Sequence, residues 1–456
     1  MNRTTGTDLA QQGQSLHNGD SPHCANGKKA LSSQHMSKGR TSWAWVPTLY
    51  FAEGLPYVLI VTVSAIMFKQ LGTSNADVAL YTSWLYLPWV IKPIWSPFVD
   101  LAKTKRWWLL LTQLILGAGL AGIALTLHAG NFFKWSLAIM WLLAFSSATH
   151  DISIDGFYLL GLDEGEQSLF VGIRNTAYRI AMIAGQGGLL ILVGYFQNRF
   201  GDVTSAWSLG FLIAGGLMIL LFLYHSSILP HPVADCTIAV SGKNILKEFG
   251  RTFVSYFSKP DILTAVLFIL LFRFPEAQIG KIAPLFLVDS IENGGLGLTT
   301  AQIGFAQGTL GVIGLLLGGI LGGITLSRHG LKKCIWWMVG AISLPDLVYV
   351  YLSWMPTQNI AVVSSCIFIE QLGYGFGFTA FTLFLMYVAR GEHQTSHYAI
   401  STGIMALGMM LPGMISGRLQ EMMGYRWFFV WIIACCAITC LVSALIKYEP
   451  EFGKKQ

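Results

Sequence analysis

Long apolar runs of about 20 residues, broken by short polar turns, follow one another along most of this chain. A helix of that length spans the roughly 30 Å hydrocarbon layer of a membrane. Runs at 45–69, 77–98, 108–128, 135–161, 169–197 and 206–227 form one group, and runs at 261–288, 300–326, 334–355, 360–388, 397–418 and 427–447 form another. The pattern predicts an all-α membrane protein with about twelve transmembrane helices in two six-helix halves. Pro47, Pro56, Pro88, Pro93, Pro275, Pro284, Pro345 and Pro412 fall in or beside the runs. Membrane helices tolerate them because neighbouring groups re-satisfy the freed carbonyls.

The polar stretches between and outside these groups set the expected domains. Residues 1–42 are rich in Ser, Gly, Gln and Asn and contain no apolar core of a signal peptide, so a disordered cytoplasmic tail is expected, with Met36 as an alternative start. The bundles are expected at 43–227 and 261–447, joined by a cytoplasmic linker at 228–260 and followed by a short cytoplasmic tail at 448–456. Within the linker, Ile245, Leu246, Phe249 and Phe253 recur at helical spacing between Lys243 and Phe257, which predicts a short surface helix.

Composition agrees with the membrane setting: 54% of residues are apolar and only 11% charged, against roughly a quarter charged in soluble domains. The net charge of +6 is concentrated on one side. Arg3, Lys28, Lys29, Lys38, Arg40, Lys103, Lys105, Arg106, Lys243, Lys247, Arg251, Lys259, Arg328, Lys332, Lys333, Lys447, Lys454 and Lys455 all fall in stretches that an even number of crossings puts together. Both termini are therefore expected in the cytoplasm, and the charge expresses topology rather than nucleic-acid binding. The seven cysteines show no Cys-x-x-Cys spacing, so neither a disulfide framework nor a metal site is expected. The chain carries no Walker A pattern, so it is not expected to be an ATP-driven pump. It is not expected to be an enzyme or to hold a cofactor.

The informative exceptions are charges inside the apolar runs. Asp151 and Asp155 lie one helical turn apart between Trp135 and Leu162, and ionisable residues at membrane depth mark a pathway or an opposite charge. Like charges on one face repel, so one of the two is expected to bind and release a proton in the physiological range. Counting from the turn near 165 places Asp155 level with Arg174 and Asp151 level with Arg179. Counting from the turn near 73 places Glu53 level with Lys92. Glu276 and Glu370 have no such partner, which makes them proton or cargo candidates. Arg273 is a candidate for an anionic cargo, and Lys281 is expected to snorkel to the outer surface. His150 reads as a packing residue, and Asp346, beside Pro345, fits no pattern. Trp84, Tyr86, Trp89 and Trp95 on the second run are too many for an interface alone, and if the cargo carries sugar rings one or two are expected to stack on them.

Internal similarity supports a duplication. Lys105, Arg106, Trp107 and Trp108 have counterparts in Lys332, Lys333, Trp336 and Trp337, about 229 residues further on. Near that offset Glu53 maps to Glu276 and Asp151 to Glu370, as expected of a duplicated secondary transporter. The glycine-rich stretches Gly185 to Gly188, Gly311 to Gly323 and Gly403 to Gly417 allow close helix contacts.

Together these residues resemble the major facilitator superfamily and, within it, the AmpG-like muropeptide permeases. The resemblance rests on Gly54-Leu55-Pro56, on Lys92 to Pro97 with Asp100, on His150-Asp151-Ile152-Ser153-Ile154-Asp155 and on Tyr178-Arg179. It continues in Phe272 to Ala277 and in Glu370 with Gly375, Gly377, Ala380 and Phe381. Glu53, His150 and Gly156 depart from the permease pattern, and Asp155-Gly156 is closer to the related acetyl-coenzyme A transporters. The resemblance implies a cavity lined by the first, fourth, seventh and tenth helices. Asp100, Lys105 and Arg106 look like a reduced form of the superfamily's cytoplasmic gate. It implies proton-coupled import of peptidoglycan fragments across the bacterial inner membrane by a monomer, with other amino sugars, oligosaccharides or acyl-coenzyme A-like anions as alternative cargoes.

Overall fold

The computed structural model describes residues 38–232, 235, 242–391 and 394–447. Most of the tail expected to be disordered, Met36 and the C-terminal stretch 448–456 lie outside the described residues. Ten helices are long and apolar enough to cross a membrane. One of them, Gln394–Leu445, is two helices meeting at Gly424, whose φ of 71° and ψ of 163° break the helical path. Asn75–Trp84 and Leu87–Ala102 stack into a further crossing. Twelve crossings result, in the positions expected from the hydrophobic runs.

These are α1 (Ser42–Gln70), α2 (75–102), α3 (Lys105–Thr126), α4 (Phe132–Gly161), α5 (Gly165–Phe200) and α6 (Val203–Ile228) in the first half. The second half contains α7 (Ile262–Val288), α8 (Thr300–His329), α9 (Leu331–Trp354), α10 (Ile360–Ala389), α11 (394–423) and α12 (425–445). Short turns are closed by local caps. The side chains of Ser74, Thr104, Asp163 and Asn359 each accept a backbone N–H of the helix that follows, a contact that stabilises a helix end by about 1 kcal/mol. The expected linker helix is present at Gly242–Phe257. It docks on α11, with the Tyr256 and Ser401 hydroxyls 2.9 Å apart and Ser255 Oγ 2.9 Å from His397 Nε2.

Three crossings are interrupted beside prolines. Pro88 follows the break at Leu85–Tyr86 in α2, Pro275 follows the break at Phe272–Arg273 in α7, and Pro345 lies in a 3-10 turn, Leu344–Asp346, in α9. Proline cannot donate to the preceding turn and clashes with its carbonyl, so each break is written in the sequence. At the α7 break Thr439 Oγ1 donates to the Phe272 carbonyl at 2.9 Å. Tyr86, Arg273 and Asp346 all stand at these breaks.

The halves meet through α1 with α7, α2 with α11 and α5 with α8. Apolar burial drives little association inside a bilayer, where lipid is equally apolar, so close approach through small residues carries the contact. A Cβ on Gly187 would stand 2.7 Å from Thr309 Oγ1, one on Gly413 would stand 2.6 Å from Ser83 Oγ, and one on Gly403 would stand 2.9 Å from the Val90 carbonyl. The run from Gly311 to Gly323 serves a different contact, because Gly314 and Gly322 press on the α10 backbone within the second half.

Candidate transport site

In the first half, Gly54 lets α1 approach α5, since a Cβ there would stand 2.9 Å from the Tyr178 carbonyl. That approach brings Glu53 to α4. Glu53 faces Asp151 and Lys92, and its Oε2 is buried without a hydrogen-bond partner. Lys92 Nζ donates to Asp151 Oδ2 at 2.9 Å. Asp155 lies 3.5 Å from Arg174 Nη1, and the Tyr50 hydroxyl joins them, accepting from Arg174 at 3.0 Å and donating to Asp155 at 3.3 Å. The level counted for Glu53 and Lys92 is thus occupied by one cluster. The pairing expected between Asp151 and Arg179 is corrected: Lys92 has taken Asp151, and Arg179 Nη1 instead contacts Met182 Sδ at 3.4 Å.

The second half gathers the buried residues Glu276, Asp346 and Glu370, each of which places one carboxyl oxygen within 4.8 Å of those of the other two. Asp346 therefore belongs to the site, which its sequence position gave no reason to expect. Its signal was the adjacent Pro345, whose 3-10 turn aims it inward. Glu370 accepts from the Tyr349 hydroxyl at 3.3 Å and from Gln371 Nε2 at 3.0 Å, and Asp346 accepts from Cys436 Sγ at 3.7 Å. Among the described residues, no lysine or arginine forms an ion pair with this trio. Two unit charges about 5 Å apart repel by roughly 3 kcal/mol even at an effective dielectric of 20. Three carboxylates therefore cannot all stay ionised here, and protons or a bound cation must share the site; its donor set would suit a hard cation.

The same juxtaposition recurs in both halves. A carboxyl on the first helix of each half meets one on the fourth, Glu53 with Asp151 and Glu276 with Glu370, as the internal repeat implies.

Half-buried aromatic and basic side chains stand near these clusters. Tyr57 makes an edge contact with Trp89 at 5.2 Å and lies near the Tyr86 phenol. Arg273 donates to the Tyr374 hydroxyl and lies over the Tyr374 and Phe378 rings at 5.3 and 4.8 Å. Of the aromatics on α2, Trp89 and Tyr86 point here, whereas Trp84 is exposed and Trp95 packs on Phe145. Lys281 does not snorkel outward. It is buried, donates to Thr82 Oγ1 at 3.1 Å and faces the Tyr86 ring at 5.0 Å, tying α7 to α2. His150 is buried beside Asp151, consistent with packing.

The ends of α1 and α7 are sealed together. Lys69 Nζ meets Asp289 Oδ1 at 2.8 Å, and Asp289 Oδ2 also accepts from Tyr425 at 2.5 Å and from Asn75 at 3.3 Å. Asn75 donates to Gln420 at 2.7 Å, and Gln70 and Gln197 both bond Thr300. On the other side, α4 and α10 form no comparable interface among the described residues. Asp155 there is 54% exposed, which at membrane depth means water rather than lipid. The site is closed on one side and open on the other.

The residues expected to form a gate have mixed fates. The Asp100 side chain lies outside the described residues. Arg106 donates to the Ser226 carbonyl at 2.7 Å, within its own half. Lys105 lies against Gly156, where a Cβ would stand 2.7 Å from its Cε, so the missing Cβ at that departure makes room for the lysine. Asp235 was not singled out, yet it accepts the backbone N–H groups of Lys105 and Arg106 at 2.7 and 3.0 Å and caps α3.

Comparison with known proteins decides the family. The profile of the Major Facilitator Superfamily matches residues 48–412. The chain belongs to that superfamily. It is similar to a putative transporter named AmpG 4 of Rickettsia conorii, with 25% identity over 84% of this chain and 91% of that protein. It is similar also to the anhydromuropeptide permease of Escherichia coli K12, with 24% identity over 89% of this chain and 80% of the permease. Among solved structures, the D-xylose-proton symporter matches with a TM-score of 0.68 at 12% identity, covering 91% of this chain and 99% of the other. The nucleoside transporter NupG matches with 0.66 at 16%, covering 89% and 98%. These likenesses show the fold, and the protein is a multi-pass membrane transporter of the facilitator kind.

Proposed function

We propose that this transporter imports peptidoglycan fragments, such as anhydro-muropeptides, across the bacterial inner membrane in symport with protons. The observation that carries the coupling is the pair of carboxyl clusters, Glu53–Asp151 and Glu276–Asp346–Glu370, flanking one space between the halves. The cargo reading draws on the names of the relatives and on an aromatic lining suited to sugar rings.

In this reading both termini and the linker are cytoplasmic, and the bundles 43–227 and 261–447 rock about the site in a single chain. The sealed α1–α7 end is periplasmic. Cargo and protons enter from that side while the seal is open. Protonation neutralises the second-half trio, which removes its mutual repulsion and lets the halves close over the cargo. Opening towards the cytoplasm exposes Asp155 and the Lys92–Asp151 pair to water, and protons leave with the cargo. Arg174 and Lys92 hold the first-half carboxylates. Asp100, Lys105 and Arg106 shape the cytoplasmic rim. Acyl-coenzyme A-like anions are the second reading, favoured by the basic groups Arg179 and Arg273 in the space.

The test is uptake of labelled anhydro-muropeptide into proteoliposomes holding the purified protein. Saturable uptake competed by unlabelled muropeptide, and not by acetyl-coenzyme A, is expected. No uptake, or displacement by acetyl-coenzyme A alone, would overturn the cargo assignment.

A further inference from the structure

The sequence places Arg179 opposite Asp151, but among the described residues it pairs with no carboxylate. Its guanidinium contacts Met182 Sδ at 3.4 Å. Arg273, from the other half, is in the same condition: it touches Tyr374 and Phe378, and its Nε is buried without a partner. Arg174, by contrast, has Asp155. Arg179 and Arg273 stand on α5 and α7, on opposite sides of the space between the halves, and both lie within electrostatic reach of the Tyr57 and Tyr374 phenols. Both guanidiniums are half-buried and neither forms an ion pair among the described residues, although Arg273 lies within electrostatic reach of Glu276.

An unpaired cation at membrane depth is costly and marks a site where an opposite charge belongs. The guanidinium is also shaped for one ligand class, because its planar fork donates two parallel hydrogen bonds to a carboxylate. The neighbouring acids are committed elsewhere: Asp151 to Lys92 and Glu53, and Glu276 to the second-half trio.

We infer that Arg179 and Arg273 form a carboxylate clamp, in which an acidic group of the cargo is held by one guanidinium from each half. The inference rests on the reading of this space as the cargo site and adds its chemistry. A ligand held from both halves draws them together, so the clamp links recognition to closure. Tyr57 and Tyr374 orient the bound group through their hydroxyls. A neutral sugar of the same size lacks the bridging charge and binds poorly.

The clamp can be tested by titrating the purified full-length protein in detergent, following tryptophan fluorescence, with four probes. These are anhydro-muropeptide, the same compound with its carboxylates methyl-esterified, acetyl-coenzyme A and neutral chitobiose. The acid muropeptide is expected to bind wild type about 10-fold to 100-fold more tightly than its ester, the range for a charge-assisted hydrogen-bonded contact. Arg179→Gln and Arg273→Gln should each abolish that preference, so that acid and ester bind alike, and Arg179→Lys and Arg273→Lys, which keep charge but lose the fork, should fall between. Equal binding of acid and ester by wild type overturns the clamp and leaves the muropeptide reading standing. Tight binding of acetyl-coenzyme A without muropeptide binding, lost in both glutamine variants, overturns the muropeptide reading and overturns the carboxylate assignment, leaving the two arginines as a phosphate site. A preference for the acid over its ester that survives in either glutamine variant overturns the clamp. Should a glutamine variant aggregate, the lysine variants decide by the same comparison.

Discussion

Removing Asp289 is the sharpest perturbation of the sealed side, because one carboxylate there closes three contacts between chain segments. Asp289→Ala takes the partner from Lys69 and the acceptor from Tyr425 and Asn75. Breaking a buried ion pair by deleting one member costs about 3–5 kcal/mol. The side chains of Lys69 and Asp289 keep 17% and 10% of their exposure, so the lower end, about 3 kcal/mol, is appropriate. When the seal opens, Lys69 regains water, so the loss falls on the sealed form alone. At about 1.4 kcal/mol per tenfold, the equilibrium moves roughly a hundredfold towards forms open on that side. Nitroxides at Asn131 and Met355, both exposed on that face, report the distance between the halves by double electron–electron resonance in a cysteine-depleted background. A new population at longer distance should appear in Asp289→Ala, with a smaller one in Asp289→Asn, which retains an acceptor oxygen. Coincident distributions for Asp289→Ala and wild type would refute the assignment of the seal.

Glu370→Gln should leave the amount of protein in membranes unchanged, since no cation depends on Glu370, while altering the pH profile of the initial uptake rate; an unchanged profile would remove Glu370 from the coupling. Lys92→Met strands Asp151 and should destabilise the protein by about 3–5 kcal/mol, whereas Lys92→Met with Asp151→Leu should recover most of the loss. Thermal unfolding in detergent checks this, and additive losses would deny the pair. Gly308→Val overlaps the Gln186–Gly187 backbone and should weaken the α5–α8 contact by about 1–3 kcal/mol, seen as faster cysteine labelling at the sealed end. Arg179→Gln should preserve membrane abundance, which the expected Asp151 pairing would not have allowed.

The twelve crossings were legible because a membrane helix declares itself by length and apolarity alone, and the breaks in α2, α7 and α9 because Pro88, Pro275 and Pro345 mark them. Counting residues from a turn found the Asp155–Arg174 pair correctly, since both lie in one hairpin. The same counting failed for Asp151, because depth does not say which helix face a side chain takes; Lys92 on α2 faces Asp151 and Arg179 does not. Asp346 and Lys281 were misjudged for a related reason. Their surroundings are made by α7, α10 and α12 in one case and by α2 in the other, and such partners, far apart in sequence, leave no local periodicity. The seal at Lys69 and Asp289 is equally non-local, joining residues 220 positions apart.

Proton movement accompanying cargo tests the central claim most directly. Proteoliposomes holding the protein in a weakly buffered medium are given anhydro-muropeptide while a pH electrode records the outside solution and filtration records cargo entry. The external medium should turn alkaline in step with entry, the signal should vanish with a protonophore, and Glu370→Gln should uncouple the two traces. Cargo entry with a flat pH trace, above all if entry required sodium instead, would contradict proton symport and give the Glu276–Asp346–Glu370 cluster to a metal cation.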